Sequence, residues 1–207
     1  MPDLYPRVLT HVGVTVTDMA KAIEWYRAVF GFQLLAGPAE LVSDDSHFGM
    51  IGRDIFGANF RRGQLAQLSG ANGVCIELFQ FDQPRSEVRP DNFEYWKAGI
   101  MHFTIIEPEI EKMVQTIAES GGKARSKVWT LFPGRPYKIA YCEDPFGNIV
   151  EISTHSTEQT WSNLWICHHE NQAHTIYPSI PKPGVGALAG NGILPHGTSG
   201  AGTESTG

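Results

Sequence analysis

The sequence predicts an α+β fold: two βαβββ modules forming a curved, partly open, barrel-like mixed sheet. Three observations lead there. The chain contains an internal repeat, each copy carries an amphipathic helix that ends at glycine, and each copy closes on a strand with a glutamate inside an apolar run. The copies open with "HVGVTVTDMAKAIEWYRAVFG" from His11 and "HFTIIEPEIEKMVQTIAESGG" from His102. They close with "NGVCIEL" around Glu77 and "GNIVEI" around Glu151.

The elements follow in order. Each histidine begins an alternating apolar stretch, which reads as a strand. An acidic helix-start signal follows, Thr17-Asp18 in the first copy and Glu107-Pro108-Glu109 in the second. Met19, Ala22, Ile23, Tyr26, Val29 and Phe30 then recur at helical spacing, as do Ile110, Met113, Val114, Ile117 and Ala118. Gly31 and Gly121 supply the left-handed residue that stops a helix. About three strands complete each copy, with the turn signals "SGANG" and "DPFGN" before the two glutamate strands. His11 to Glu77 spans 66 positions and His102 to Glu151 spans 49, so the first copy is longer by 17. The excess falls in "AGPAELVSDDSHFGMIGRDIFGANF", where a loop able to cover a site is expected.

The predicted domain covers 4–160, with modules at about 8–81 and 100–154. Residues 161–207 form a C-terminal extension. From about Pro178 it is dominated by Gly, Pro, Ser and Thr and is expected to be largely flexible. The 207 residues carry a net charge of −6, which offers no basic surface, so nucleic acid is not an expected partner. No apolar run has the length of a membrane span. The opening "MPDLYPRVLT" lacks the pattern of a secretory signal, and the three cysteines are dispersed, so a reducing, cytoplasmic setting is expected.

Alternation along the strands places the ionisable residues. Val12, Val14 and Val16 oppose His11, Gly13 and Thr15. Val74, Ile76 and Leu78 oppose Cys75, Glu77 and Phe79. Phe103 and Ile105 oppose His102 and Thr104, and Val150 and Ile152 oppose Glu151 and Ser153. The aliphatic faces can pack beneath the helices while His11, Glu77, His102 and Glu151 look the other way. A lone strand histidine is more often structural, and a lone strand glutamate more often meets solvent. Four at equivalent places in two repeats point instead to a divalent cation, which offsets the desolvation of two carboxylates beside two neutral imidazoles. Without one, neighbouring buried glutamates would repel.

"HVGVTVTDMAKAIEWYRAVFGFQLL", "GVCIELFQF", "GIMHFTI" and "YCEDPFGNIVEI" together resemble the vicinal oxygen chelate superfamily: glyoxalase I, methylmalonyl-CoA epimerase, bleomycin and fosfomycin resistance proteins, and extradiol dioxygenases. The resemblance implies the glyoxalase/bleomycin resistance fold. It puts His11, Glu77, His102 and Glu151 at metal-ligand positions for one Zn, Ni, Co, Mn or Fe ion per site. It also implies a small-molecule substrate and a homodimer, with the site inside one chain or shared across two. The second carboxylate, Glu77, resembles glyoxalase I more than the two-His-one-carboxylate dioxygenases. That favours a lyase or isomerase using enolate-type proton transfer on a metal-chelated carbonyl compound, with Glu151 or Glu77 moving the proton. Bacterial glyoxalase I resembles this pattern but carries arginine where Thr15 stands, so a glutathione adduct is not the expected substrate. The alternatives are an Fe(II)-dependent ring-cleaving or other dioxygenase, and a sequestering protein of the bleomycin-resistance kind.

Further substrate-binding candidates are Thr15, Phe79 and Thr104, which share faces with the four. Arg61 and Arg62 follow the expected loop and could hold an anionic group. Trp129, Phe132 and Tyr137 flank "PGRPY" and could line a mouth. "CHHE" at 167–170 lies outside the repeat and reads as surface, and Asp144 and Asn148 read as turn formers without chemistry.

Overall fold

Each half of the chain builds its own sheet, and a helix lies across each. The computed structural model describes residues 6–88 and 93–162, all belonging to the unit 1–167. The C-terminal extension from residue 163, including "CHHE" and the tail from Pro178, lies outside the described residues. In the first half, β1 (His11–Thr15), α1 (Met19–Phe30), β2 (Gln33–Val42), α2 (His47–Phe56), β3 (Arg62–Ser69) and β4 (Cys75–Gln83) give the strand order β1-β4-β3-β2. In the second half, β5 (Phe103–Ile106), α3 (Ile110–Glu119), β6 (Lys123–Ala124), β7 (Trp129–Thr130), β8 (Lys138–Glu143) and β9 (Ile149–Ser153) give β5-β9-β8-β6, with β7 also on β8. The short helix α4 (Thr157–Trp161) follows. In both halves the first strand pairs in parallel with the last, and the remaining pairs are antiparallel. Two mixed sheets and no closed barrel result, as the repeat predicts.

The helix signals act as expected. The Asp18 carboxylate accepts from the Lys21 N–H at 3.1 Å at the start of α1. Gly31 ends α1 at φ 69°, a conformation that costs other residues but not glycine. In α3 the helix stops one residue earlier than in α1 relative to its glycine: it ends at Glu119, Ser120 caps it, and Gly121 takes φ 86°. The Glu107 carboxylate accepts from the Glu109 N–H at 2.7 Å before that helix.

Two expectations need correction. The excess of the first half is not a loop. It is the outer end of β2 and the ten-residue helix α2, capped by Ser46 accepting from the Gly49 N–H. Gly49 and Gly52 are its buried residues, and a methyl group on Gly52 would stand 2.8 Å from the Phe60 ring. Glycine therefore lets α2 lie close, and Phe56 packs edge-on against Phe79 and Phe81 at 5.7 and 5.0 Å. The second half has four strands after its helix rather than three. The segment beside β8 is broken at Arg125 and Ser126, whose N–H groups both donate to the Tyr141 carbonyl, and so splits into β6 and β7.

One apolar core runs through both halves. Val14, Leu68 and Leu78 join Ile110, Ile117, Val150 and Ile152 in it, beneath α1 and α3. Burying each such side chain contributes roughly 1.5–3 kcal/mol. Polar contacts add to the joint. Trp25 Nε1 donates to the Ser120 carbonyl at 3.0 Å, and Asn148 Nδ2 donates to the Thr15 carbonyl at 3.3 Å. The Tyr26 hydroxyl donates to Asp144 at 2.7 Å. Asp144 is 1% exposed and also accepts from the N–H groups of Phe146 and Asn148 and from Asn148 Nδ2. Burial nevertheless raises its pKa above the ordinary 3.8, and burial together with the Asp144 charge lifts the Tyr26 phenol well above its usual value. Asp144 and Asn148 therefore form the expected turn and also fasten the second half to the first.

Candidate functional site

Strand register builds two equivalent half-sites. Glu77 sits in β4 opposite Gly13 of β1 on one side and Gln67 of β3 on the other. Glu151 sits in β9 opposite Thr104 of β5 and Tyr141 of β8. His11 opens β1 and His102 immediately precedes β5, so each imidazole reaches the carboxylate on its own sheet. Both pairs lie on the face turned away from the helix, because Ile76, Leu78, Val150 and Ile152 take the core face.

The halves differ in detail. His11 Nε2 stands 3.5 Å from Glu77 Oε2, with side chains 49% and 21% exposed. His102 Nε2 stands 2.9 Å from Glu151 Oε2, at 24% and 17%. Gln67 Nε2 donates to Glu77 Oε1 at 2.7 Å. Glu151 accepts from the Thr104 hydroxyl at 3.3 Å, and Tyr141 stands opposite it on the neighbouring strand. Tyr141 has its phenol pKa raised by burial first and then by the Glu151 charge. Its ring also meets the His102 ring edge-on at 5.1 Å. The Nδ1 atom of His102 is buried without a hydrogen-bond partner among the described residues.

The donor chemistry suits a divalent cation of borderline hardness. Ligand atoms about 2.1 Å from one ion stand roughly 3.0–3.4 Å apart, close to the separations within the two pairs. Each half therefore supplies one imidazole and one carboxylate. The structure brings each pair together but not all four: among the described residues no group of three or more His, Cys, Asp or Glu is gathered.

A cavity of about 420 Å³ adjoins the second pair, bordered by His102, Glu151, Thr104, Tyr141 and residues reaching to Trp161 of α4. A crevice of about 240 Å³ between the halves is bordered by His102, Thr15 and Asn148. Phe79 lies on the Glu77 face in the aromatic group beneath α2. The other candidates lie apart from these spaces. Arg61 donates to the carbonyls of Ala58 and Phe60, and Arg62 pairs with Glu40 and Asp82. Tyr137 is buried with its edge on the His155 ring at 4.8 Å, and Phe132 backs Trp161 at 5.4 Å. Trp129 is exposed, with Lys127 Nζ 3.8 Å from its ring centre. Sequence reasoning missed Gln67 and Tyr141. Both sit on the strand that precedes the turn into the glutamate strand, and counting back across each hairpin would have found them.

A family profile described as the glyoxalase/bleomycin resistance protein/dioxygenase superfamily matches residues 8–152. Among solved structures the chain is similar to a glyoxalase family protein from Bacillus cereus, at 17% identity over 74% of this chain and 97% of that one, with a TM-score of 0.59. It is also similar to a glyoxylase/bleomycin resistance protein/dioxygenase domain from Frankia sp., at 14% identity over 72% and 92% of the two chains and a TM-score of 0.50. At these identities the likeness is one of fold. No curated protein matches the chain. Among the described residues no helix is long and apolar enough to cross a membrane.

Proposed function

The chain belongs to the glyoxalase/bleomycin resistance protein/dioxygenase superfamily, and on that premise we propose that it is a divalent-metal-dependent lyase or isomerase that moves a proton beside a carbonyl group. The observation that carries this reading is the repeated His–Glu placement at matching register in the two sheets, with a second carboxylate where a dioxygenase site would not need one. His11, Glu77, His102 and Glu151 would hold the cation once the two pairs face a common ion, within one chain or across a homodimer. The cation would supply Lewis-acid polarisation of a carbonyl and its neighbouring oxygen.

The protein's own groups do the rest. Gln67 fixes one oxygen of Glu77 and makes it a holding ligand. Glu151 borders the larger cavity and is the carboxylate that reaches a substrate carbon, so it takes and returns the proton. The Thr104 hydroxyl holds that carboxylate in place with Tyr141 beside it, and the cavity lets the proton exchange with solvent.

The test uses α-hydroxyketones in deuterated buffer with Zn, Ni, Co, Mn or Fe ions supplied in turn. Deuterium entering the carbon beside the carbonyl, abolished in Glu151→Gln, is the expected result. Oxygen uptake with a catechol-type compound and Fe(II), retained in Glu77→Ala, would replace this reading with the dioxygenase one. Ligand capture without turnover in either assay would replace it with a sequestering role.

A further inference from the structure

The cavity beside Glu151 extends past the family's matched segment. That segment ends at residue 152, while the far wall comes from α4, through Thr157, Thr160 and Trp161. Helix α4 is firmly placed. Ser156 and Gln159 form a reciprocal capping box, and Thr160 is buried. Trp161 is set by an edge-on contact with Phe132 and is still 41% exposed. The volume of about 420 Å³ falls in the range of small-molecule sites, about 300–1,000 Å³.

The chemistry of the lining is uneven in a useful way. Its apolar walls are Ile106, Leu131, Ile139 and Trp161, and its other polar groups are mostly hydroxyls. No lysine or arginine borders it among the described residues. Lys138, on the neighbouring strand, pairs with Glu111 of α3 on the helix side, and Arg125 pairs with Glu143. A phosphate or carboxylate placed against the Trp161 wall, away from the His102–Glu151 pair, would give up hydration with no lysine or arginine to offset the loss. An uncharged ring loses little water there and gains contact with the indole.

Resting on the proton-transfer reading above, we infer that the substrate is a neutral ring-bearing hydroxycarbonyl compound, with its vicinal oxygens toward His102 and Glu151 and its uncharged ring against Trp161. An acyl thioester of a nucleotide or a phosphorylated sugar does not fit this wall. Trp161 is the specificity-determining residue.

The experiment compares 2-hydroxyacetophenone with its ring para-carboxylate, by calorimetric titration of the full chain, with and without added Mn²⁺. The neutral compound is expected to bind at least about tenfold tighter. The preference should persist in Trp161→Phe and fall to about twofold or less in Trp161→Ala. Thr157→Lys, at an exposed first-turn position, should reverse it by providing a cation. Equal or tighter binding of the carboxylate, binding of neither compound, or an unchanged preference in both Trp161→Ala and Thr157→Lys overturns the inference. The ring preference is read separately from deuterium exchange. Preference without exchange leaves the pocket and removes the proton-transfer reading. Exchange without preference does the reverse.

Discussion

The two halves of this molecule use one plan and finish it differently. Both set a histidine beside a glutamate on the sheet face away from the helix. In the second half the pair is 2.9 Å apart, the carboxylate accepts from the Thr104 hydroxyl with Tyr141 opposite it, and a cavity opens beside it. In the first half the pair is 3.5 Å apart and half-open to solvent at His11, the carboxylate is held by one amide, and the adjoining face is filled by Phe79, Phe81 and the helix α2. A duplicated scaffold fixes where each His–Glu pair stands, while neighbouring strands decide the surroundings of each carboxylate. An amide partner fixes a carboxylate. A hydroxyl partner beside a cavity leaves it facing that space.

Breaking the joint between the halves should have the largest effect. Asp144→Ala leaves the Tyr26 hydroxyl and the N–H groups of Phe146 and Asn148 without their acceptor in a buried place. Each orphaned donor costs about 1–3 kcal/mol, so a loss on the order of 4 kcal/mol is expected in urea unfolding. A loss near 1 kcal/mol would show that the apolar core alone joins the halves.

The comparison sharpens with paired changes at the two glutamates. Loss of a group that orients a metal ligand typically weakens metal binding by about 10–100-fold. Gln67→Leu removes the amide that fixes Glu77 and is expected near the upper end. Tyr141→Phe leaves Glu151 with His102 and Thr104 and is expected near the lower end. Titration of Mn²⁺ into each variant measures both, and equal losses would mean the halves hold their carboxylates alike.

The smallest effect concerns acidity. Asp144 has its folded-state pKa raised above 3.8 by burial. The stability it contributes is therefore fully present below 3.8 and is lost as pH rises through the raised value. Asp144→Asn carries no titrating carboxyl and should lose less stability than wild type across that window in thermal unfolding at stepped pH. Parallel curves would remove the carboxyl from the account.

Much of this was legible in the sequence. The repeat, the alternation around Glu77 and Glu151, and the Gly31 stop all derive from local backbone rules, and local rules survive folding. The helix α2 was not legible, because "HFGMIGRDIF" has two glycines where a helix former is preferred. Those glycines serve close packing against Phe60, a tertiary demand that local propensity does not encode. The roles of Gln67 and Tyr141 depend on register across a hairpin, and that of Asp144 on where the opposite half lands. The pairing of His with Glu inside each half could be read from alternation. The separation of one pair from the other could not, because it depends on how two sheets are set rather than on either strand.

The most direct test of the account is metal content by plasma mass spectrometry, on wild-type protein and on Glu77→Ala after reconstitution with divalent ions. The account predicts about one ion per chain in wild type and a large loss in the variant. Wild-type protein that retains no ion after reconstitution would contradict it.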